Sequence, residues 1–168
     1  MKQPYSCKPE KKDGEAKWVC LILLVLAVAV FYLSDLFGYF RAAGQLSAVV
    51  LLLLFVQITT KFLLTRYEYV LEDDTLYLSS QQGKRIKNLG GIPITKRCVL
   101  LERTKEKKAT RGTAKRFSYC QNLFPVKSYE LVSGDGEGIS LIFEPDEVLV
   151  TMLSDLIEEK KRETEEES

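Results

Sequence analysis

The stretch "TTKFLLTRYEYVLEDDTLYL", residues 59–78, joins two kinds of sequence order without a spacer. Through Leu64 it is the end of a long apolar run. Beyond that point it alternates, which is the period-two pattern of a half-buried β-strand. The residues on the apolar face are Tyr67, Tyr69 and Leu71 and, after the turn at 73–74, Leu76 and Leu78. The chain therefore passes directly from an apolar helix into a strand, and this junction divides the sequence into two parts.

Two apolar runs lie before the junction. The uncharged segment 18–33 would measure roughly 24 Å as a helix, and its continuation to residue 39 matches a hydrocarbon core of about 30 Å. The second run, 46–64, is long enough by itself. We therefore predict a transmembrane hairpin over residues 18–64, with spans at about 18–39 and 46–64. A cleaved signal peptide is the alternative for the first run, but a second span follows it at once.

The basic residues near the ends of the spans predict the orientation of the hairpin. Cytoplasmic flanks carry an excess of lysine and arginine. The connection between the spans contains one such residue, Arg41, and the predicted N-terminal tail, residues 1–17, contains five. We expect a multi-pass protein of the cell membrane with both termini in the cytoplasm. The five residues of the tail are Lys2, Lys8, Lys11, Lys12 and Lys17.

Residues 66–161 are expected to form one mainly-β domain, with a charged tail at 162–168. An amphipathic helix follows Pro145, which we place at the first helical position. Its apolar stripe should close the domain: Val148, Leu149, Met152, Leu153, Leu156 and Ile157. The pattern predicts seven short strands in meander order: 66–72, 75–80, 85–91, 98–104, 116–124, 128–133 and 138–144.

Two short segments resemble a known family. "GGIPITKRCVLLE", residues 90–102, is similar to the third-to-fourth strand connection of bacterial pleckstrin-homology (PH)-like domains, and "FEPDEVLVTML", residues 143–153, is similar to their entry into the closing helix. Such domains occur beside membrane hairpins in small membrane proteins. The resemblance implies a membrane α hairpin followed by a seven-stranded PH-like barrel closed by a C-terminal helix, with no catalytic residues.

The sequence departs from this family in its first hairpin. In members of the wider fold that bind phosphoinositides, basic residues in the first hairpin hold the headgroup. The corresponding hairpin here contains Glu72, Asp73 and Asp74, which would repel an inositol phosphate.

The composition argues against several kinds of chemistry. The chain contains no histidine, which removes Ser-His-Asp catalysis and the imidazole ligands of most zinc sites. Cys7, Cys20, Cys98 and Cys120 show no C-x-x-C spacing, so we interpret them as isolated reduced thiols. Acylation of Cys7 stays open if the tail is cytoplasmic. The turn at 134–138 has too few oxygens for calcium. We predict no enzyme activity, no metal and no cofactor.

The strongest charge feature is the segment 103–116, placed between the fourth and fifth predicted strands. It contains a single acid, Glu106. We interpret it either as a solvent-exposed loop or as a contact with anionic lipid headgroups. It lacks the interleaved aromatic residues of a nucleic-acid surface, so no nucleic acid is expected. The seven basic residues assigned to the lipid contact are Arg103, Lys105, Lys107, Lys108, Arg111, Lys115 and Arg116.

Two hypotheses for function follow. In the first, the chain is a membrane-anchored adaptor that binds membrane lipids and either a protein partner, whose identity is unknown, or its own copies. In the second, the hairpin itself is the functional part, as an oligomeric accessory subunit of a transporter or channel.

Overall fold

The computed structural model describes residues 4–34, 38, 41–103, 115–133 and 138–166. The chain divides into two compact units. The helical unit comprises Lys11–Thr65 with Asn122–Phe124, and the β unit comprises Met1–Glu10, Arg66–Gln121 and Pro125–Ser168.

The helical unit is built from two helices that pack against each other. Helix α1 covers Asp13–Ser34 and helix α2 covers Arg41–Ile58. Helix α2 continues as a π-helix over Thr59–Leu64, and strand β2 begins at the next residue. Both α1 and the continuous helix Arg41–Leu64 are long and apolar enough to cross a membrane.

Small residues form the contact between the two helices. The spacing of the buried residues of α1, in steps of four and seven, places them along one stripe. Gly44 of α2 lies so close to α1 that a Cβ atom at this position would overlap the Cβ of Ser34. Close backbone approach through small side chains is the usual packing of helices in lipid. The buried residues are Ala16, Cys20, Ala27 and Ser34 on α1 and Ala48 on α2.

The β unit contains two four-stranded sheets and helix α3, Glu147–Glu166. The first sheet has the order β1-β2-β3-β4 and the second has the order β5-β7-β8-β6. The strands are β1 Tyr5–Cys7, β2 Thr65–Glu72, β3 Thr75–Gln82, β4 Arg85–Pro93, β5 Val99–Arg103, β6 Lys115–Ser118, β7 Ser128–Ser133 and β8 Ile139–Phe143.

The predicted seven-stranded closed barrel is wrong. The described strands form two separate sheets, and neither closes on itself. Two features overturn the meander. Strand β1 joins the edge of the first sheet, with Tyr5 opposite Leu71, and β6 pairs in parallel with β8. Alternating residues report which face of a strand is buried, whereas they carry no information on which strand lies beside it.

A shared apolar core holds the two sheets and α3 together. Tyr69 of the first sheet meets Phe143 of the second edge to face, with ring centroids 5.4 Å apart. The predicted inward faces of β2 and β3 are confirmed by this core. Its buried members are Cys7, Tyr67, Tyr69, Leu71, Leu76, Leu78, Ile94, Cys98, Leu131, Leu141, Phe143, Leu149, Leu153, Leu156 and Ile157.

Helix α3 follows its predicted stripe with two corrections. Val148 is 53% exposed, so it does not belong to the buried face. Pro145 is not the first helical residue, because the helix begins at Glu147 and Asp146 caps it: the N–H of Leu149 donates to Asp146 Oδ1 at 2.8 Å. The charged C-terminal segment is helical through Glu166.

Candidate functional site

The structure places three of the seven predicted lipid-contact residues. Arg103 ends β5, and Lys115 and Arg116 begin β6. The other four, Lys105, Lys107, Lys108 and Arg111, lie outside the described residues. The lipid contact itself therefore stays a prediction.

Two of the placed arginines converge on one buried carboxylate. Glu130 of β7 is 2% exposed, and its Oε1 lies 3.3 Å from Arg116 Nη2. Arg103 Nε lies 3.9 Å from Oε2, and the Ser140 hydroxyl donates a hydrogen bond to Oε1. A buried carboxylate is costly unless it is paired. Glu130 therefore fastens both ends of the basic segment to the second sheet.

The sequence pattern does not mark Glu130 as a site residue. In "SYELVS" the alternation puts Glu130 on the face opposite Leu131, and a polar residue there indicates a face in water. Both faces of β7 are in fact covered at this point, since Glu130 and Leu131 are both buried. The one indication in the sequence is an acidic residue next to an apolar residue in a short strand. This pattern does not predict which arginines pair with the acid.

The first strand holds the start of α3. The Tyr5 hydroxyl donates to Asp146 Oδ2 at 2.6 Å, and this hydrogen bond raises the pKa of Tyr5 to about 12. The N–H of Asp146 lies 3.4 Å from the sulfur of Cys7, which accepts from it. The same aspartate that caps α3 therefore also fixes β1. This strand is not recognisable in the sequence, because three residues are too few for a periodic signal.

The four cysteines are free, in agreement with the interpretation as isolated thiols, and all four are buried. Cys7 is 2% exposed, and burial raises its pKa to about 11. A buried neutral thiol is a poor nucleophile. Acylation at Cys7 would first require β1 to leave the sheet.

The ends of the two helices are fastened by polar contacts within the helical unit. The Lys11 ammonium donates to the carbonyl oxygen of Leu63 at 2.6 Å and pairs with Asp13 Oδ1 at 3.1 Å. The Thr65 hydroxyl donates to the carbonyl oxygen of Thr60 at 2.7 Å. These contacts satisfy carbonyl groups that a helix end leaves without a partner.

Three hydroxyl groups of α2 and its π-helical continuation also have partners. Thr59 faces α1, where its hydroxyl lies 3.3 Å from the sulfur of Cys20. Thr60 donates instead to the carbonyl oxygen of Val56 in its own helix, and Gln57 is exposed. The sequence left these orientations open. Ser47 donates to Ala43 in the same manner as Thr60. Satisfied hydroxyl groups lower the cost of placing this helix in lipid.

The two turns at the ends of β3 carry opposite charge. The turn before it contains Asp73 and Asp74, and Asp74 Oδ2 accepts from the Lys160 ammonium at 2.7 Å. This hydrogen bond raises the pKa of Lys160. The turn after β3 contains Gly83, with φ +58°, and is followed at once by basic residues. Glycine is favoured there because other residues rarely adopt this conformation.

An open cleft of about 750 Å³ lies beside the Asp74–Lys160 pair, between α3 and the segment 94–96. Its charged lining residues include both signs, which gives no selectivity for an anion or a cation. Across the parts of the chain that the structure describes, no group of three histidine, cysteine, aspartate or glutamate residues could hold a metal ion.

No protein-family model, curated protein or solved structure matches the chain. The case for function therefore rests on the residues and contacts described above. What they support in general terms is a pair of apolar helices followed by a β-rich unit.

Proposed function

We propose that the chain is a membrane-anchored interaction module without catalytic activity. In this proposal α1 and α2 cross the cell membrane as a hairpin, and the β unit binds a protein partner or a second copy at the cytoplasmic surface. The observation that carries the proposal is the large apolar surface that the helices expose. Exposure of this surface to water is unfavourable, whereas lipid would cover it. Trp18 is 67% exposed, Leu53 is 64% exposed and Val25 is 61% exposed.

The dimensions of the helices support the anchor. At 1.5 Å per residue, the 22 residues of α1 measure roughly 33 Å, and the 24 residues of Arg41–Leu64 measure roughly 36 Å. Both lengths exceed a hydrocarbon core of about 30 Å. Trp18 lies near the start of α1, where aromatic side chains prefer the lipid headgroup region.

The direction of insertion is inferred from charge. Four lysines lie before α1 or in its first turns, whereas at the other end of the helices Arg41 begins α2 and is the one basic residue of the sequence between residues 34 and 45. The four are Lys8, Lys11, Lys12 and Lys17. This asymmetry favours termini in the cytoplasm. The bacterial PH-like membrane proteins that the sequence resembles share the plan of a hairpin followed by a β-rich domain, and the proposal uses that plan without a closed barrel.

An edge strand supplies the surface for the partner. In the described part of the chain, β4 pairs with a strand on one side, and most of its residues are exposed. An unpaired strand edge is a template for a further strand from another chain. The absence of histidine and of a metal-binding group among the described residues gives no support to an enzyme.

Chemical crosslinking of the full-length chain in native membranes tests the partner. We expect a discrete crosslinked species that contains the chain and a second protein, or two differently tagged copies of the chain. A chain truncated after residue 65 is the control, since it lacks the strands after the helices. A chain that stays monomeric at every crosslinker concentration contradicts the interaction role. A multimer that survives in the truncated control instead supports the hairpin as the functional part.

A further inference from the structure

The second turn of the first sheet lies at the end where the chain enters from the helices. Strand β2 begins at Thr65 and runs to the acidic turn at residues 73–74, and β3 returns beside it. Hydrogen-bonded strands joined by a two-residue turn are antiparallel. The turn at residues 83–84 therefore lies at the same end of the sheet as Arg66, and the acidic turn lies at the opposite end.

Strand β1 runs toward the same end of the sheet. It pairs antiparallel with β2, with Tyr5 opposite Leu71 and Cys7 opposite Tyr69. The chain thus runs toward Arg66 in β1, and helix α1 begins at Asp13 soon afterwards. Both connections between the sheet and the apolar helices leave from one end of the first sheet.

The chemistry of this turn is basic and apolar. Lys84, Arg85 and Lys87 are exposed, and none of them forms an ion pair within the described residues. Ile86, in their midst, is 72% exposed. The whole segment 75–101 contains no acid, so the positive charge has no neighbour in sequence that would neutralise it. An exposed isoleucine flanked by cations has the composition of a lipid contact, in which basic side chains meet anionic headgroups and an apolar side chain reaches the acyl boundary.

We propose that the turn formed by residues 82–87, here called the basic turn, binds the anionic headgroup layer of the membrane that holds the helices. Lys84, Arg85 and Lys87 contact lipid phosphates, and Ile86 enters the boundary with the acyl chains. The inference rests on the proposed membrane anchor. Lipid is favoured over a soluble polyanion because the turn lies at the sheet end from which both helix connections leave, within reach of the surface.

Site-specific labelling of the full-length chain in lipid nanodiscs tests this contact. One variant is Ile86→Cys, and the matched control is Glu72→Cys beside the acidic turn of the same sheet. The native cysteines are buried, so a polar fluorescent dye reacts selectively with the introduced thiol. With a quencher on the lipid headgroups and phosphatidylglycerol in the bilayer, we expect several-fold stronger quenching at residue 86 than at residue 72. Because the same dye is attached at both positions, the affinity of the dye itself for lipid affects both quenching values equally.

A charge variant separates binding from mere proximity. Replacing Lys84, Arg85 and Lys87 by glutamine in the Ile86→Cys chain should remove most of the extra quenching, and Lys96→Gln, which lies outside the turn, should leave it. Pure phosphatidylcholine or high salt should act like the triple variant, because both remove the electrostatic attraction.

Equal quenching at residues 72 and 86 in a chain that is properly inserted overturns this inference and leaves the anchor intact. Protection of residue 86 by soluble heparin, without quenching by lipid, also overturns it and assigns the turn to a soluble anion. Failure of the chain to enter nanodiscs overturns the anchor and this inference together.

Discussion

The helical unit and the β unit treat apolar residues in opposite ways. In the helical unit the buried positions belong to small residues such as Ala27 and Ala48, while large side chains such as Leu53 are exposed. In the β unit the order is reversed, since Tyr69 and Phe143 are fully buried. A soluble core is filled by its largest apolar groups, whereas lipid-embedded helices approach through their smallest. This difference supports the proposed membrane anchor, in which the two units are built for different solvents.

A pair of leucine substitutions should give the largest contrast. Leu153 of α3 is 0% exposed, and Leu153→Ala should lower the free energy of unfolding of the β unit by about 2–5 kcal/mol, because it leaves a cavity. Leu53→Ala on the exposed face of α2 should leave that free energy unchanged. Urea unfolding in detergent, followed by near-ultraviolet circular dichroism of the tyrosines, measures both. Equal losses in the two variants would show that the units share one core.

A pair of glycine substitutions tests the contact between the helices. Gly44→Ala places a methyl group against Ser34, and such overpacking should destabilise the packed pair of helices by about 1–3 kcal/mol. Gly14→Ala is the control, because a Cβ there meets no atom within 4 Å. The side chains of Thr59 and Cys20 are in contact. In a Thr59→Cys variant, oxidation should therefore form a disulfide between residues 59 and 20. We expect Gly44→Ala to lower the yield of this disulfide and Gly14→Ala to preserve it. Equal yields would contradict the close approach.

The smallest expected effect concerns the attachment of β1 to α3. The pKa of Tyr5 is raised from 10.0 to about 12, so the neutral hydroxyl is favoured in the fold. Its contribution to stability is therefore present below pH 10 and is lost as the pH rises toward 12. Tyr5→Phe should lower the urea midpoint slightly at pH 8, and the difference from the unmodified chain should shrink between pH 10 and 12. A difference that does not depend on pH would mean that the Asp146 contact is not its source.

The sequence predicted the features that depend on local periodicity. The inward faces of β2 and β3 and most of the α3 stripe follow from spacing alone, and the structure bears them out. Strand partners do not follow from spacing, so the parallel pairing of β6 with β8 and the addition of β1 were missed. The contacts of Glu130 were missed for the same reason, because Arg103, Glu130 and Arg116 belong to three different strands of the second sheet. Val148 was wrongly placed on the buried face because it lies at the edge of the apolar stripe of α3, where a shift of one position along the helix changes a residue from buried to exposed.

Thiol labelling from outside intact cells tests the membrane hairpin most directly. Ala42→Cys places a thiol at the start of α2, and Glu158→Cys places one on an exposed position of α3. We predict that a membrane-impermeant reagent labels residue 42 in intact cells and labels residue 158 after the membrane is permeabilised. Labelling of residue 158 in intact cells, or recovery of the chain from the soluble fraction, would contradict a hairpin that holds the β unit in the cytoplasm.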